Sequence, residues 1–465
     1  MIQVNLEKRG KKMKKVDATQ GNLSKQIFIY AIPLILSTIL QTLFDVTDKA
    51  VLGNMANDTA VASIGATSTV TALIINGAVG LSTGTAIVLA RVVGQKNKER
   101  IRSTIDTSLI TSLCLGLIVA VCGLIFSPDF LNLTDCPQGE CYDGALIYMR
   151  IVIAAAPATL LYNYGSAILR TLGDSRSPLF YITAAGVINV VMNVILCLIL
   201  PQKVIAVAIA TISSKIISAI LVFRKLCTLD DTARVVIHKM RFHFHSFLSI
   251  IRFGIPVSIS TLVLPLGNLQ IQTAINSYGT PAIAGHSAAI SLESFSYAIQ
   301  NGFSGAAMTF MGQNIGAKNV DRVRKTFRLC LIYNVLISGL FGYLSYLTGR
   351  FWLGIIVGMK AKEAIDFGMI RLSYVLQVVF INAIGNTLIN AMKAFGYPML
   401  TSITNVVINL GFRVIWMQYV YPLCVQFSTI MQCYTVAWLL NLFFYIIFFS
   451  IVYRRYVKTG KCKEI

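Results

Sequence analysis

Uninterrupted apolar stretches recur along this chain, and no other feature limits its fold so strongly. A run of about 20 apolar residues is the length of an α-helix crossing a bilayer. Lipid offers no partner to backbone N–H and C=O groups, so each crossing segment must satisfy its own hydrogen bonds and the whole must be a helix bundle. A membrane β-barrel would instead show segments of about ten residues alternating in polarity. Composition points the same way. Of 465 residues, 55% are hydrophobic and only 13% charged, about half the charge of an ordinary soluble chain.

Twelve spans are expected, at about 26–53, 59–91, 99–126, 141–170, 178–200, 204–223, 250–277, 281–312, 325–348, 366–392, 398–421 and 428–453. The net charge of +21 is unevenly spread over the segments between them. Lys8, Arg9, Lys11, Lys12, Lys14, Lys15 and Lys25 crowd the start, and Arg454, Arg455, Lys458, Lys461 and Lys463 the tail. The 2–3 and 8–9 connections are basic as well, whereas the opposite side carries only Lys203, Arg350, Lys360 and Lys362. By the positive-inside rule both termini are cytoplasmic, and the expected setting is a multi-pass cell membrane protein. Basic charge distributed this way attracts lipid headgroups and gives no argument for nucleic acid. The apolar stretch after the basic start is too long for a signal peptide and reads as an uncleaved first helix.

The sequence also repeats itself. GQKNKERIRSTI (94–105) matches GAKNVDRVRKTF (316–327), AIPLILSTIL (31–40) matches GIPVSISTLV (254–263), and YGSAILRTLGDSRSP (164–178) matches IGNTLINAMKAFGYP (384–398). Six helices per copy is an even number, so the copies have the same orientation. The expected layout is a basic N-terminus (1–25), an N-lobe (26–223), a basic linker (224–249), a C-lobe (250–453) and a basic tail (454–465). Parallel halves around a central cavity are a known transporter plan.

The quoted segments, with QTLFDVTDKAVLG (41–53), LRTLGDS (169–175) and GQNIGA (312–317), resemble the multidrug and toxic compound extrusion (MATE) transporters across about 26–455. The resemblance implies two six-helix lobes around a V-shaped cavity, and export of organic, cationic or amphiphilic compounds in exchange for H+ or Na+. It implies no cofactor beyond the coupling ion, and a monomer is expected. It also carries over residue roles: Asp48 as the coupling carboxylate of helix 1, Asp174 as the Asp of the Gly-Asp turn, and Arg170 as the polar residue before it. Asn189 and Asn193 of helix 5 are further ion-coupling candidates, although the family often has an acidic residue where this chain has Asn193. The family's sodium-linked branch has a Glu in helix 7, whereas PVSISTLVLPLGNLQIQ has no carboxylate; proton coupling through the first lobe gains weight accordingly.

Physical chemistry narrows the candidates. Ionisable residues inside a span are functional candidates by default. Asp45 and Lys49 are i,i+4 in the favourable order and read as a pair. Asp48, three residues from Asp45, reads as the residue that loads and releases a proton. Glu293 is the one carboxylate deep in the second lobe, either a counter-charge for cargo or the partner of Arg371 or Arg413. Gln41, Asn163, Gln300 and Asn301 are further cavity candidates. Cys136 and Cys141 share an external loop where a disulfide is one outcome; His238, His243 and His245 fit no zinc spacing and read as a basic, membrane-facing loop. A lipid-linked saccharide flippase is the alternative function, though Arg150, Lys215 and Arg413 are too dispersed to cradle a diphosphate. No enzyme motif such as HExxH or GxSxG occurs, and no metal site is expected.

Overall fold

The computed structural model describes residues 16–55, 58–133, 139–230, 232–460 and 462. Within them the chain is a helix bundle built twice. Leu23–Met55 and Phe244–Asn276 are both 33 residues long, Asp58–Gly94 and Thr280–Gly316 both 37, and Lys98–Ile125 and Val320–Leu347 both 28. A short surface helix follows in each half, Ser127–Leu133 and Gly349–Val357. The fifth and eleventh spans are Arg176–Ile199 and Pro398–Leu423, the sixth and twelfth Lys203–Cys227 and Phe427–Thr459.

The fourth and tenth spans are broken, which the hydropathy pattern does not announce. Glu140–Ala154 meets Ala156–Thr171 at 43°, and Lys362–Val375 meets Val379–Ala394 at 48°. In the first case Pro157 opens the second half, where its missing N–H costs nothing. In the second, Gln377 N donates to Leu372 O, a wide turn that lets the chain bend without proline. The eighth span, Thr280–Gly316, is long enough to cross but is the least apolar by composition, because it runs through the interior. It packs on the first, second, ninth and tenth spans, and buries Glu293, Gln300, Gln313 and Asn314. Helices inside a membrane protein face protein rather than lipid, so hydropathy undercounts them.

The repeat holds at atomic detail. In each copy of the Gly-x-Lys-Asn turn, Lys96 and Lys318 take left-handed φ of 57° and 56°. Asn97 and Asn319 then cap the next helix, their side chains accepting from Arg100 N and Arg322 N at 3.0 Å. The fourth and tenth spans end alike, on Gly173 (φ 87°) and Gly396 (φ 81°). That equivalence spans 223 residues, whereas Pro178 and Pro398 lie 220 apart. The second copy of the turn is therefore three residues shorter, and an ungapped match of 164–178 to 384–398 slips by that amount at the helix end.

At the end of the bundle where both described chain ends lie, the halves are stitched together symmetrically. Arg91 donates from Nε and Nη2 to the Ala394 carbonyl at 2.9 and 2.7 Å. Its repeat partner Gln313 donates to the Thr171 carbonyl at 2.7 Å. Gly94 and Gly316 permit this approach, since a Cβ on either would stand 1.9 or 2.1 Å from the opposite helix's Gln313 or Arg91 carbonyl oxygen. The segment before the first span lies in the same seam. Ala18 is fully buried, and its carbonyl accepts from Asn314 at 3.0 Å and Arg322 at 2.7 Å.

Candidate functional site

Polar residues that the sequence scatters over five spans converge in the second half around a cavity of about 480 Å³. Its anchor is a buried ion pair. Glu293 on the eighth span accepts from Arg371 Nε at 2.6 Å and Nη2 at 2.8 Å, the two-pronged geometry that suits guanidinium and carboxylate. Both are nearly inaccessible, at 1% and 4% exposure. The remaining Arg371 nitrogen, Nη1, lies 3.2 Å from His286 Nδ1, and the guanidinium carbon sits 4.6 Å from the centre of the Tyr434 ring. Taking two charges out of water costs several kcal/mol per ion. This pair offsets that with mutual attraction, a full fork of hydrogen bonds and an aromatic face.

Arg413, on the eleventh span, meets the cavity differently. Its span is wound as π-helix over Val407–Phe412 and again over Trp416–Val420. Wider turns of this kind concentrate at functional sites. Here they lie beside a row of residues four apart, Asn405, Asn409 and Arg413, all lining the cavity. Asn409 donates to Asn405, which donates to Ser260 at 2.6 Å. Arg413 Nη1 donates to Asn268 Oδ1 at 2.5 Å, and its guanidinium shares the Tyr434 ring at 4.8 Å. The side chain is 5% exposed, and its Nε has no hydrogen-bond partner among the described residues. No described carboxylate pairs with it.

The sequence candidates divide between the halves. Glu293 and Asn301 line the cavity, and of the two roles open to Glu293 its geometry is that of the Arg371 partner. Gln300 is fully buried at the edge, accepting from the cavity residue Asn386 at 2.9 Å. Gln41 and Asn163 are not among the lining residues; Gln41 is exposed, and Asn163 donates to Thr159 O at 2.8 Å within its own helix. Asn189 and Asn193 are buried together on the fifth span, with an amide contact of 3.3 Å between them. Asp174 accepts from Ser177 N at 3.0 Å and Ser177 Oγ at 2.6 Å, fastening the start of that span. Asp45, Asp48 and Lys49 lie on the helix Leu23–Met55, with side chains outside the described residues, and Cys136 is outside them altogether.

The residues that sequence reasoning underweights are His286, Asn268, Tyr434 and Arg413 as neighbours. One signal for them exists in the repeat. The shift that sets Pro33 against Pro256 sets Asp45 against Asn268, and the shift that sets Asn189 against Asn409 sets Asn193 against Arg413.

Three comparisons bear on what such a bundle does. The MatE family model matches residues 33–195 and 256–417, one copy in each half. The chain is 26% identical over 332 residues to the probable multidrug resistance protein YoeA of Bacillus subtilis, covering 69% of this chain and 71% of that one. It is likewise 26% identical over 298 residues to a protein of Shewanella oneidensis named FAD transporter, covering 62% and 64%. Among solved structures, a MATE transporter in complex with MaL6 superposes with a TM-score of 0.87 at 20% identity, covering 95% of this chain and all of that one (100%).

Proposed function

This chain belongs to the MatE family, twelve helices in two lobes of six, and on that premise we propose that it is a secondary active exporter that moves amphiphilic organic compounds outward in exchange for H+, with Na+ as the other coupling ion to test. The observation that carries the reading is the pairing of two unlike polar regions in otherwise repeated lobes: the Asp45–Asp48 segment of the N-lobe and the arginine-bearing cavity of the C-lobe. The stitched seam of Arg91, Gln313 and the 16–22 segment supports alternating access, because it is a closed gate made of hydrogen bonds that can be exchanged for water. Both termini are assigned to the cytoplasm from the distribution of Lys and Arg, which makes that seam the cytoplasmic gate. We take the transporter as a monomer in the cell membrane.

Asp48 is the coupling residue in this reading, with Asp45 and Lys49 as its frame and Asn189 and Asn193 as the first-lobe polar surroundings. Asp174, next to Gly173 whose carbonyl accepts from Val16 N at the other end of the first span, fastens the start of the fifth span instead. Binding of an external proton at Asp48 favours release of cargo outward, and loss of that proton inside resets the site. The driving force is sufficient: one charge crossing 100 mV is worth about 2.3 kcal/mol, and each pH unit adds about 1.36 kcal/mol. The relatives named for multidrug resistance and for FAD support an amphiphilic cargo. A cationic cargo suits the acidic N-lobe segment better than the C-lobe cavity, whose described charged groups number two arginines and one glutamate. The test is flux from proteoliposomes loaded with fluorescent dyes of either charge, under imposed H+ and Na+ gradients applied separately. Efflux driven by the proton gradient and lost in Asp48→Asn supports the reading; absence of flux under both gradients overturns it.

A further inference from the structure

We propose that the C-lobe cavity is a receptor for an anionic group, a carboxylate, sulfonate or phosphate carried on an aromatic or amphiphilic body, with Arg413 as its anchor. The inference rests on the exporter reading only in calling that molecule the cargo; the site itself is argued from charge and geometry. Arg371 and Glu293 close on each other through two hydrogen bonds and cancel. His286 presents Nδ1 to an Arg371 N–H, which calls for the neutral ring. That leaves Arg413 as the net charge of the cavity among its described lining residues. A buried, uncompensated guanidinium is among the most costly groups a protein interior can hold, and in a membrane such a group marks a ligand pathway.

Its geometry is that of a site awaiting a partner. Asn268 holds Nη1 at 2.5 Å and Tyr434 supports the plane at 4.8 Å, so the guanidinium is fixed while Nε has no partner among the described residues. A fixed planar fork is the arrangement that recognises carboxylate and phosphate oxygens. Asn382, Asn386 and Asn441 line the cavity beside it, and Trp438 and Tyr445 supply an aromatic wall. The Asn386 amide donates to Gln300 at 2.9 Å and that of Asn441 to Ala437 O at 3.0 Å, which leaves Arg413 as the anchor. The cavity of about 480 Å³ has the size of a small-molecule site.

The test is a matched pair of dyes differing in one carboxylate: rhodamine 110, the free acid, and rhodamine 123, its methyl ester. Binding is measured by fluorescence anisotropy to the full-length protein in phosphatidylcholine nanodiscs. Wild type is expected to bind the acid about tenfold more tightly or better, the worth of a charge-assisted hydrogen bond. Arg413→Gln should erase the preference, and Arg413→Lys, which keeps the charge and loses the fork, should retain part of it. Equal binding of acid and ester by wild type, or preference for the ester, overturns the proposal without recourse to any variant that fails to fold. Repeating the measurement in phosphatidylglycerol nanodiscs separates the sources of the anion: competition by that lipid makes a headgroup the occupant, and undiminished binding makes it a soluble cargo. Acid preference without gradient-driven flux would uphold this site and sink the exporter reading, and flux without acid preference would do the reverse.

Discussion

The two lobes are alike where they meet and unlike in their interiors. At the seam two pairs of counterparts do the same work: Arg91 and Gln313 reach across to Ala394 and Thr171, and Asn97 and Asn319 cap equivalent helices. In mid-span the counterparts diverge in charge. Asp45 faces Asn268 in the alignment of the repeats, Asn193 faces Arg413, and Thr71 faces Glu293. The N-lobe puts its acid on the first span. The C-lobe has an amide there and puts a base on its fifth. The repeat keeps the backbone joints and lets the interiors differ in charge, and in the function proposed above one interior serves an ion and the other a cargo group.

That contrast can be broken at several points. The largest effect is expected from Glu293→Ala, which strands Arg371 in the C-lobe interior. Breaking a buried pair on one side costs about 3–5 kcal/mol, read as a lower melting temperature of the purified protein, whereas Thr71→Ala at the equivalent N-lobe position should change it little. Next come Gly94→Ala and Gly316→Ala. Each drives a Cβ into a backbone carbonyl at the seam, an overpacking of about 1–3 kcal/mol. Both should open the basic end, seen as faster labelling of a cysteine placed at Ala18, and near-equal effects would confirm that the seam is symmetric. Asn268→Asp gives the C-lobe the N-lobe's residue and hands Arg413 an internal carboxylate, so the acid-over-ester dye preference should fall by about tenfold. The smallest effect belongs to the caps: Asn97→Ala and Asn319→Ala should each cost about 1 kcal/mol by thermal melting, and equally.

Much of this was legible in the residues. Apolar runs and basic loops located the spans, because burial in lipid and the positive-inside bias act locally. The Gly-x-Lys-Asn turns announced the repeat because a left-handed lysine followed by an asparagine cap is fixed by its own few residues. What the chain hid is three-dimensional. Gln377 bonding back to Leu372 breaks the tenth span without a proline to mark it. The cavity draws Asn268, Glu293, Arg371, Arg413 and Tyr434 from five spans, and none of them names the others on its own helix. Glu293 was legible as a carboxylate with two fates; only the position of Arg371 decided between them. Arg413 had a clue in the shift that pairs it with Asn193, but an arginine in a span has too many uses, snorkelling among them, for that clue to suffice alone.

The lobes are proposed to divide the labour, ion coupling in one and cargo binding in the other, and one paired measurement separates the two roles. Affinity for the free-acid dye in nanodiscs and its proton-driven flux in proteoliposomes are determined side by side for Asp48→Asn and Arg413→Gln. Asp48→Asn is expected to bind the dye as wild type does while losing coupled flux, and Arg413→Gln to lose the affinity itself. Loss of binding in Asp48→Asn with full binding in Arg413→Gln would place the cargo in the N-lobe and overturn that division.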